Sequence, residues 1–115
     1  MRFEKLRKDG SPDGMYLVVK DDITEGDLET LGKSLAWGQG IAAQRGSFVR
    51  GAIRAGMILE ASDPDVQRLI EITQNSRDDK VIEDAVKSHR SPRAIQWYGL
   101  QLTILYNDLT SLDPN

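Results

Sequence analysis

The stretch "MYLVVKDDITEGDLETL", residues 15–31, changes its hydrophobic period partway along. Met15–Lys20 concentrates β-branched and aromatic residues and places side chains alternately on two faces, which is typical of a strand. From Thr24 onward, Leu28, Leu31 and Leu35 recur at helical spacing behind a threonine that can cap a helix. A strand followed directly by a helix predicts a fold that mixes both.

The stretch before this strand, "DGSPDG" at residues 9–14, is dense in turn-forming residues. It therefore predicts a hairpin or an ordered arm. Whether residues 2–8 form the partner strand stays open, because Phe3 and Leu6 do not alternate. A strand must pair its backbone groups, so without a partner in its own chain it would pair with a second copy. This reasoning favours a homo-oligomer, a dimer or higher.

Cap, glycine and proline signals divide the rest of the chain into helices. Gly38 and Gly40 weaken the first helix, which ends near Trp37 or bends there. Ser47 is the predicted N-cap of the next helix. A third helix is predicted to begin at Pro64, with Ser62 or Asp63 as its cap. A short fourth helix begins near Val81. The last helix begins at Pro92, is capped by Ser91 and runs to about Leu109.

These elements predict an α+β fold that is mostly helical, with a short N-terminal strand or hairpin followed by four or five helices. A length of 115 residues fits a single domain, residues 1–115. Within it, residues 15–59 form a strand-helix-helix segment and residues 62–111 a C-terminal helical segment. The composition, 39% hydrophobic and 29% charged, is ordinary for a globular protein.

The absence of cysteine excludes a disulfide framework, a thiolate nucleophile and cysteine-ligated zinc. No run approaches the roughly 20 apolar residues that span a bilayer, and the charged start is unlike a signal peptide. We therefore expect a cytoplasmic protein without a membrane partner.

The enzyme classes are poorly supported. His89 is the single histidine and stands in a polar link between predicted helices, so we expect a solvated surface residue. A nucleophile and base pair is hard to assemble from these residues. Paired carboxylates such as Asp78 and Asp79 lack the alternating ligands of a calcium loop. The expectation is a non-enzymatic protein with no catalytic residue, metal or cofactor.

The net charge of −3 argues against a protein that coats nucleic acid non-specifically. Its distribution is uneven: residues 1–59 hold nine Lys/Arg against eight Asp/Glu, and residues 60–115 hold six against ten. If an anion is bound, the front half binds it. At the predicted helix start, backbone N–H groups at Ser47 and the side chains of Arg45, Arg50 and Arg54 could hold a phosphate. The alternative is that Ser47 only caps the helix and the arginines are solvated or pair with acids.

The segments "VVKDDITEGDLETLGKSLAW" and "RGSFVRGAIRAGM" together resemble the ribbon-helix-helix family of DNA-binding proteins. In that family two chains pair their strands into a ribbon that enters the major groove, and the second helix holds a backbone phosphate. The resemblance implies that Ser47 and its neighbouring amides hold phosphate with the support of Arg50. It also implies that Tyr16, Val18 and Lys20 face the groove.

Two functions follow. The leading one is a small DNA-associated regulatory protein acting as a homo-oligomer on double-stranded DNA, with Lys20, Arg45, Ser47, Arg50 and Arg54 as nucleic-acid-binding residues. The alternative is an acidic interaction module or inhibitor that binds a protein partner through aromatic anchors such as Trp37, Trp97, Tyr98 and Tyr106. The last helix is apolar on all sides and is the candidate for self-association. The predicted oligomer or partner interface comprises Leu17, Val19, Trp97, Tyr98, Leu102 and Leu105.

Overall fold

Three strands and five helices make up the computed structural model, which describes residues 1–34, 40–74 and 78–111. The predicted α+β, mostly helical fold class is confirmed. In chain order the elements are β1 (Arg2–Leu6), β2 (Pro12–Val19), α1 (Glu25–Ser34), α2 (Ile41–Arg54), β3 (Ile58–Ala61), α3 (Pro64–Thr73), α4 (Asp79–Lys87) and α5 (Pro92–Thr110). No helix in these ranges is both long and apolar enough to cross a membrane.

The sheet is antiparallel in the order β1-β2-β3, so β2 is its central strand. The hairpin between β1 and β2 turns through Gly10 at φ 87°, and Gly14 within β2 has φ 98°, a region that glycine enters without steric penalty. Residues 2–6 therefore form the partner strand that the sequence left open. Both edges of β2 pair within the chain, so the argument that this strand needs a second copy is wrong.

The third strand was not predicted from the sequence. Helix α2 ends at Arg54 and is followed by Gly56, which has φ 72°, and the N–H of Met57 donates to the carbonyl of Ala52 at 2.9 Å. This glycine turns the chain out of the helix, as the left-handed residue after a helix commonly does. Met57 and Ile58 then enter the core as extended chain instead of continuing the helical stripe.

Helix α2 begins at Ile41 and not at Ser47, which corrects the predicted helix start. Gly40 is its N-cap, and the N–H of Gln44 donates to the carbonyl of Gly40 at 3.0 Å. Ser47 is therefore the seventh residue of a continuous helix, where it is 8% exposed. A residue inside a helix has its backbone N–H within the helical ladder and offers no free amides to an anion. The predicted ending or bend near Trp37 falls outside the described residues.

The other helix starts agree better with their cap signals. The N–H of Asp27 donates to Oγ1 of Thr24 at 3.2 Å, and the Thr24 N–H donates to Oδ2 of Asp27 at 3.0 Å, a reciprocal pair at the start of α1. Asp63 caps α3, with Pro64 as the first helical residue. Ser91 occupies the N-cap position of α5 but makes no side-chain cap hydrogen bond.

The buried apolar residues form one cluster to which both halves of the chain contribute. Most of the predicted interface lies inside it, so that prediction is wrong for five residues. Leu17, Val19, Tyr98 and Leu102 are fully buried and Leu105 is 8% exposed, because β2 is the central strand of the sheet and α5 packs against α2. They fill the core and are not accessible to a partner. Of the predicted interface, Trp97 stays partly exposed.

Candidate functional site

A groove of about 400 Å³ runs between α2, α4 and the first turn of α5. Its floor is made by Ala42, Ala43 and Gly46, three small residues on one side of α2. Val86 of α4 and Ile95 of α5 add apolar walls. Sites of this size with mostly apolar walls and a few polar groups are typical of ligand and partner binding. We call it the α2–α4 groove.

Glycine positions explain why α2 leaves a gap against α4 and packs closely elsewhere. A Cβ at Gly99 would overlap the carbonyl oxygen of Arg45, so α5 touches the backbone of α2 there. A Cβ at Gly51 would overlap the hydroxyl of Ser34 on α1. At Gly46, by contrast, a Cβ would meet Cγ1 of Val86 at 3.8 Å, an ordinary van der Waals distance. The floor of the groove therefore has space that the other two helix contacts lack.

Charged side chains stand at one end of the α2–α4 groove. Lys87 Nζ lies 2.6 Å from Oε1 of Glu83, and Arg50 Nη1 lies 3.6 Å from the same oxygen. The hydrogen bond from Lys87, with the positive charges of Lys87 and Arg50, holds the pKa of Glu83 below its usual value. Two cations therefore share one ionised carboxylate at the rim.

His89 also lines the groove, and its predicted solvated position is wrong. Its side chain is 5% exposed, and Nε2 lies 2.8 Å from Oδ1 of Asp63. The N–H of Ser91 donates to Nδ1 at 2.8 Å, so Nδ1 accepts and the ring proton of the neutral form is on Nε2, donating to Asp63. The imidazole thereby links the start of α3 to the start of α5.

Asp63, Asp65 and His89 bring potential ligand atoms within 4.8 Å of one another. The hydrogen bonds around them disfavour a metal ion. Oδ1 of Asp63 already accepts from the N–H groups of Asp65 and Val66 as the cap of α3. A metal at Nε2 of His89 would have to displace the proton that the Ser91 contact keeps there. Asp63 therefore caps α3 and is hydrogen-bonded to His89.

The predicted nucleic-acid-binding residues are not gathered around a helix N-terminus. Arg54 Nη1 lies 2.6 Å from Oδ2 of Asp79 on α4, and Arg50 pairs with Glu83 on the same helix. Arg45 lies directly before Gly46 on α2, and its backbone carbonyl faces Gly99 of α5. The alternative in which the arginines pair with acids is therefore observed for Arg50 and Arg54.

Lys20 is held at the end of β2 by a neighbouring helix. Its Nζ lies 2.6 Å from Oδ2 of Asp27, and the two side chains are 22% and 12% exposed. Burial opposes ionisation of Asp27, but the hydrogen bonds from Lys20 and Thr24 outweigh it and hold the pKa of Asp27 below its usual value. The charge of Lys20 is thus matched inside the protein.

A second surface lies along α5. Residues 94–107 carry no charged side chain. Trp97 and Leu100 are partly exposed and Ile104 is 47% exposed, and their spacing places them on one face of the helix. Trp97 borders a shallow depression that also includes Met15 and Arg93. We call Trp97, Leu100 and Ile104 the α5 face. Trp37, another predicted anchor, lies outside the described residues.

Sequence reasoning missed the α2–α4 groove. The small residues at positions 42, 43 and 46 are spaced as one helical face, which is a readable signal, but the predicted helix start at Ser47 excluded them. The position of α4 against that face cannot be read from local pattern. Comparison with models of protein families, with curated proteins and with solved structures found no match to this chain.

Proposed function

We propose that this chain is a non-enzymatic regulatory protein that binds a protein partner by accepting an apolar side chain of that partner in the α2–α4 groove. The observation that carries the proposal is the cavity of about 400 Å³ above Ala42, Ala43 and Gly46. A small-residue floor lets an incoming side chain approach the α2 backbone closely. Apolar anchors that fill such pockets dominate the energy of many protein interfaces.

A DNA-associated function stays a prediction, and its support from the fold is weaker. The predicted phosphate contact needs a helix N-terminus at Ser47, but Ser47 lies inside α2. Arg54 is engaged with the carboxylate of Asp79 on α4 at 2.6 Å, whereas Arg50 lies 3.6 Å from that of Glu83. Phosphate contacts supply most of the affinity for DNA, and engaged arginines contribute less to it. A gel shift at low salt against random duplex tests this function directly.

Self-association is proposed through the α5 face and not through the strand. An uncharged helix face lets two copies of an acidic chain approach without like-charge repulsion at the contact. Trp97 adds a large side chain of the kind that anchors interfaces. Trp97, Leu100 and Ile104 are not among the residues that line the α2–α4 groove, so this pairing would use a separate set of side chains.

The groove proposal is tested with a displayed library of random 12-residue peptides, panned on the full chain. Selected peptides are synthesised and titrated into ¹⁵N-labelled protein. We expect amide shifts at Gly46 and Val86. Gly46→Met places a flexible side chain in the groove beside Val86, and we expect it to abolish binding.

Gly26→Met is the matched control. A Cβ at Gly26 would meet Oγ1 of Thr24 at 3.7 Å, so this helical glycine also has room for a side chain, and it lies on α1 away from the groove. The control should bind peptide as the wild type does. If no peptide is selected, or if selected peptides bind Gly46→Met unchanged, the groove does not receive a partner and the proposal is wrong.

A further inference from the structure

We infer that the α2–α4 groove selects a partner segment in which the apolar anchor stands next to a carboxylate side chain. The inference rests on the proposed function and adds the chemistry of the partner. It comes from the two cations that share Glu83 at one end of the groove. Of the groove-lining residues, Arg50, Lys87 and Glu83 carry formal charge, which leaves one positive charge in excess.

The geometry of the three groups makes this excess charge accessible. Both cations lie near Oε1 of Glu83, Lys87 Nζ at 2.6 Å and Arg50 Nη1 at 3.6 Å. The Arg50 contact is long for a direct hydrogen bond, so its guanidinium is only loosely held by Glu83. Because the pKa of Glu83 is lowered, the carboxylate remains ionised and does not donate a proton to an incoming acid.

The two cations have complementary roles. The Arg50 side chain is 27% exposed and donates a long hydrogen bond to the carbonyl of Ser34 at 3.4 Å, so it is partly desolvated. Partial burial lowers the local dielectric and strengthens its attraction for an anion. The Lys87 side chain is 71% exposed and can rotate from Glu83 to a partner carboxylate with little loss.

The charge of the rest of the chain increases this selectivity. The protein carries −3 overall, and residues 60–115, which include α4, hold six Lys/Arg against ten Asp/Glu. A basic partner would be attracted to many places on this surface. An acidic segment is repelled by most of them and attracted at the groove rim, so its register on the protein is fixed. Electrostatic complementarity of this kind sets specificity more than affinity.

The experiment uses the same displayed 12-residue library. We expect the selected peptides to share a large apolar residue with Asp or Glu within one helical turn of it. Replacing that acid by its amide should weaken binding about threefold to fivefold, the range of an exposed ion pair. Lys87→Glu reverses the rim charge and should weaken binding about tenfold, and added salt should reduce the difference.

Lys8→Glu is the matched control. Lys8 is exposed, as Lys87 is, and it stands in the turn between β1 and β2, outside the lining of the groove. The two variants change net charge equally, so a global effect of charge would appear in both. We expect Lys8→Glu to change affinity less than twofold.

The outcomes separate the two proposals. Peptides that shift Gly46 and Val86 but show no acidic preference, and that bind Lys87→Glu as well as the wild type, would overturn this inference and leave the groove as a binding site. If no peptide binds and decanoate alone shifts the groove amides, the occupant is a free aliphatic carboxylate and both proposals are overturned. If an acidic preference disappears equally in Lys8→Glu, the rim is not its source.

Discussion

Nε2 of His89 lies 2.8 Å from Oδ1 of Asp63. This contact joins the segment before α5 to the N-cap residue of α3. The same carboxylate oxygen accepts from the N–H groups of Asp65 and Val66. One acidic side chain therefore closes a helix start and anchors the histidine. Tyr98 lies beside Asp63, and its hydroxyl accepts a hydrogen bond from the Asp63 N–H at 2.8 Å.

His89→Ala should lower the free energy of unfolding by about 1–3 kcal/mol, because it removes a buried partner from Asp63 and from the Ser91 N–H. Chemical denaturation monitored by tryptophan fluorescence measures the change. The neighbouring exposed residue provides the control: Arg90→Ala should alter the free energy by less than about 0.5 kcal/mol. Equal stability of the two variants would show that the imidazole contacts contribute nothing.

Tyr98→Phe should lower the free energy of unfolding by about 1–3 kcal/mol. The hydroxyl is fully buried, lies 2.9 Å from Oγ of Ser62, and accepts from the Asp63 N–H, which would lose its partner. Burial raises the pKa of Tyr98. Tyr16→Phe, in a partly exposed position on the sheet, should have a smaller effect. A larger effect at Tyr16 in the same unfolding experiment would contradict this assignment.

Gly46→Ala and Gly99→Ala should change stability in opposite directions, although both replace a glycine inside a helix. Alanine favours helix by about 1 kcal/mol over glycine, and at Gly46 the new methyl meets Val86 at an ordinary distance. At Gly99 the methyl overlaps the carbonyl of Arg45, and overpacking of this kind lowers stability by about 1–3 kcal/mol. Thermal unfolding of the two variants compares them, and a stabilised Gly99→Ala would mean that α2 and α5 are farther apart than described.

Asp27 should contribute to the acid sensitivity of the fold. Its folded-state pKa lies below the usual aspartate value of 3.8, so its ionised form stabilises the fold fully above that pH. This stabilisation is lost as pH falls through the lower, folded pKa. We expect the difference in unfolding free energy between wild type and Asp27→Asn to shrink as pH falls below about 4. Urea titrations from pH 7 to pH 2 measure this difference, and a difference that stays constant over this range would contradict the prediction.

Ile104→Lys should shift the chain toward the monomer if the α5 face pairs two copies. A charge in the middle of that face would have to be desolvated in the dimer. Leu109→Lys is the control, because both side chains are 47% exposed on the same helix and Leu109 points to a different side. Sedimentation velocity at high protein concentration measures the distribution. A wild type that is monomeric throughout would contradict the pairing.

Much of the fold was predictable from local signals. Thr24, Asp63 and Pro64 mark helix starts that the structure has, since a side-chain cap needs only its own first turn. The turn before β2 also indicated the hairpin. Ser47 misled the prediction because a serine inside a helix carries the same local signal as a cap, and Gly40 starts α2 without a side-chain bond. The candidate groove was missed for that reason.

The sequence by itself determined the α+β class, the turn at residues 9–14 and most helix starts, because periodicity, turn residues and caps act within a few residues. The tertiary structure alone decided which side chains are accessible. It placed β3 beside β2, buried Leu17 and Tyr98 in the core, and set α4 across the small residues of α2 to form the groove. Those outcomes depend on how distant segments pack together, and helix packing is fixed by the surfaces of both partners and not by the pattern of one.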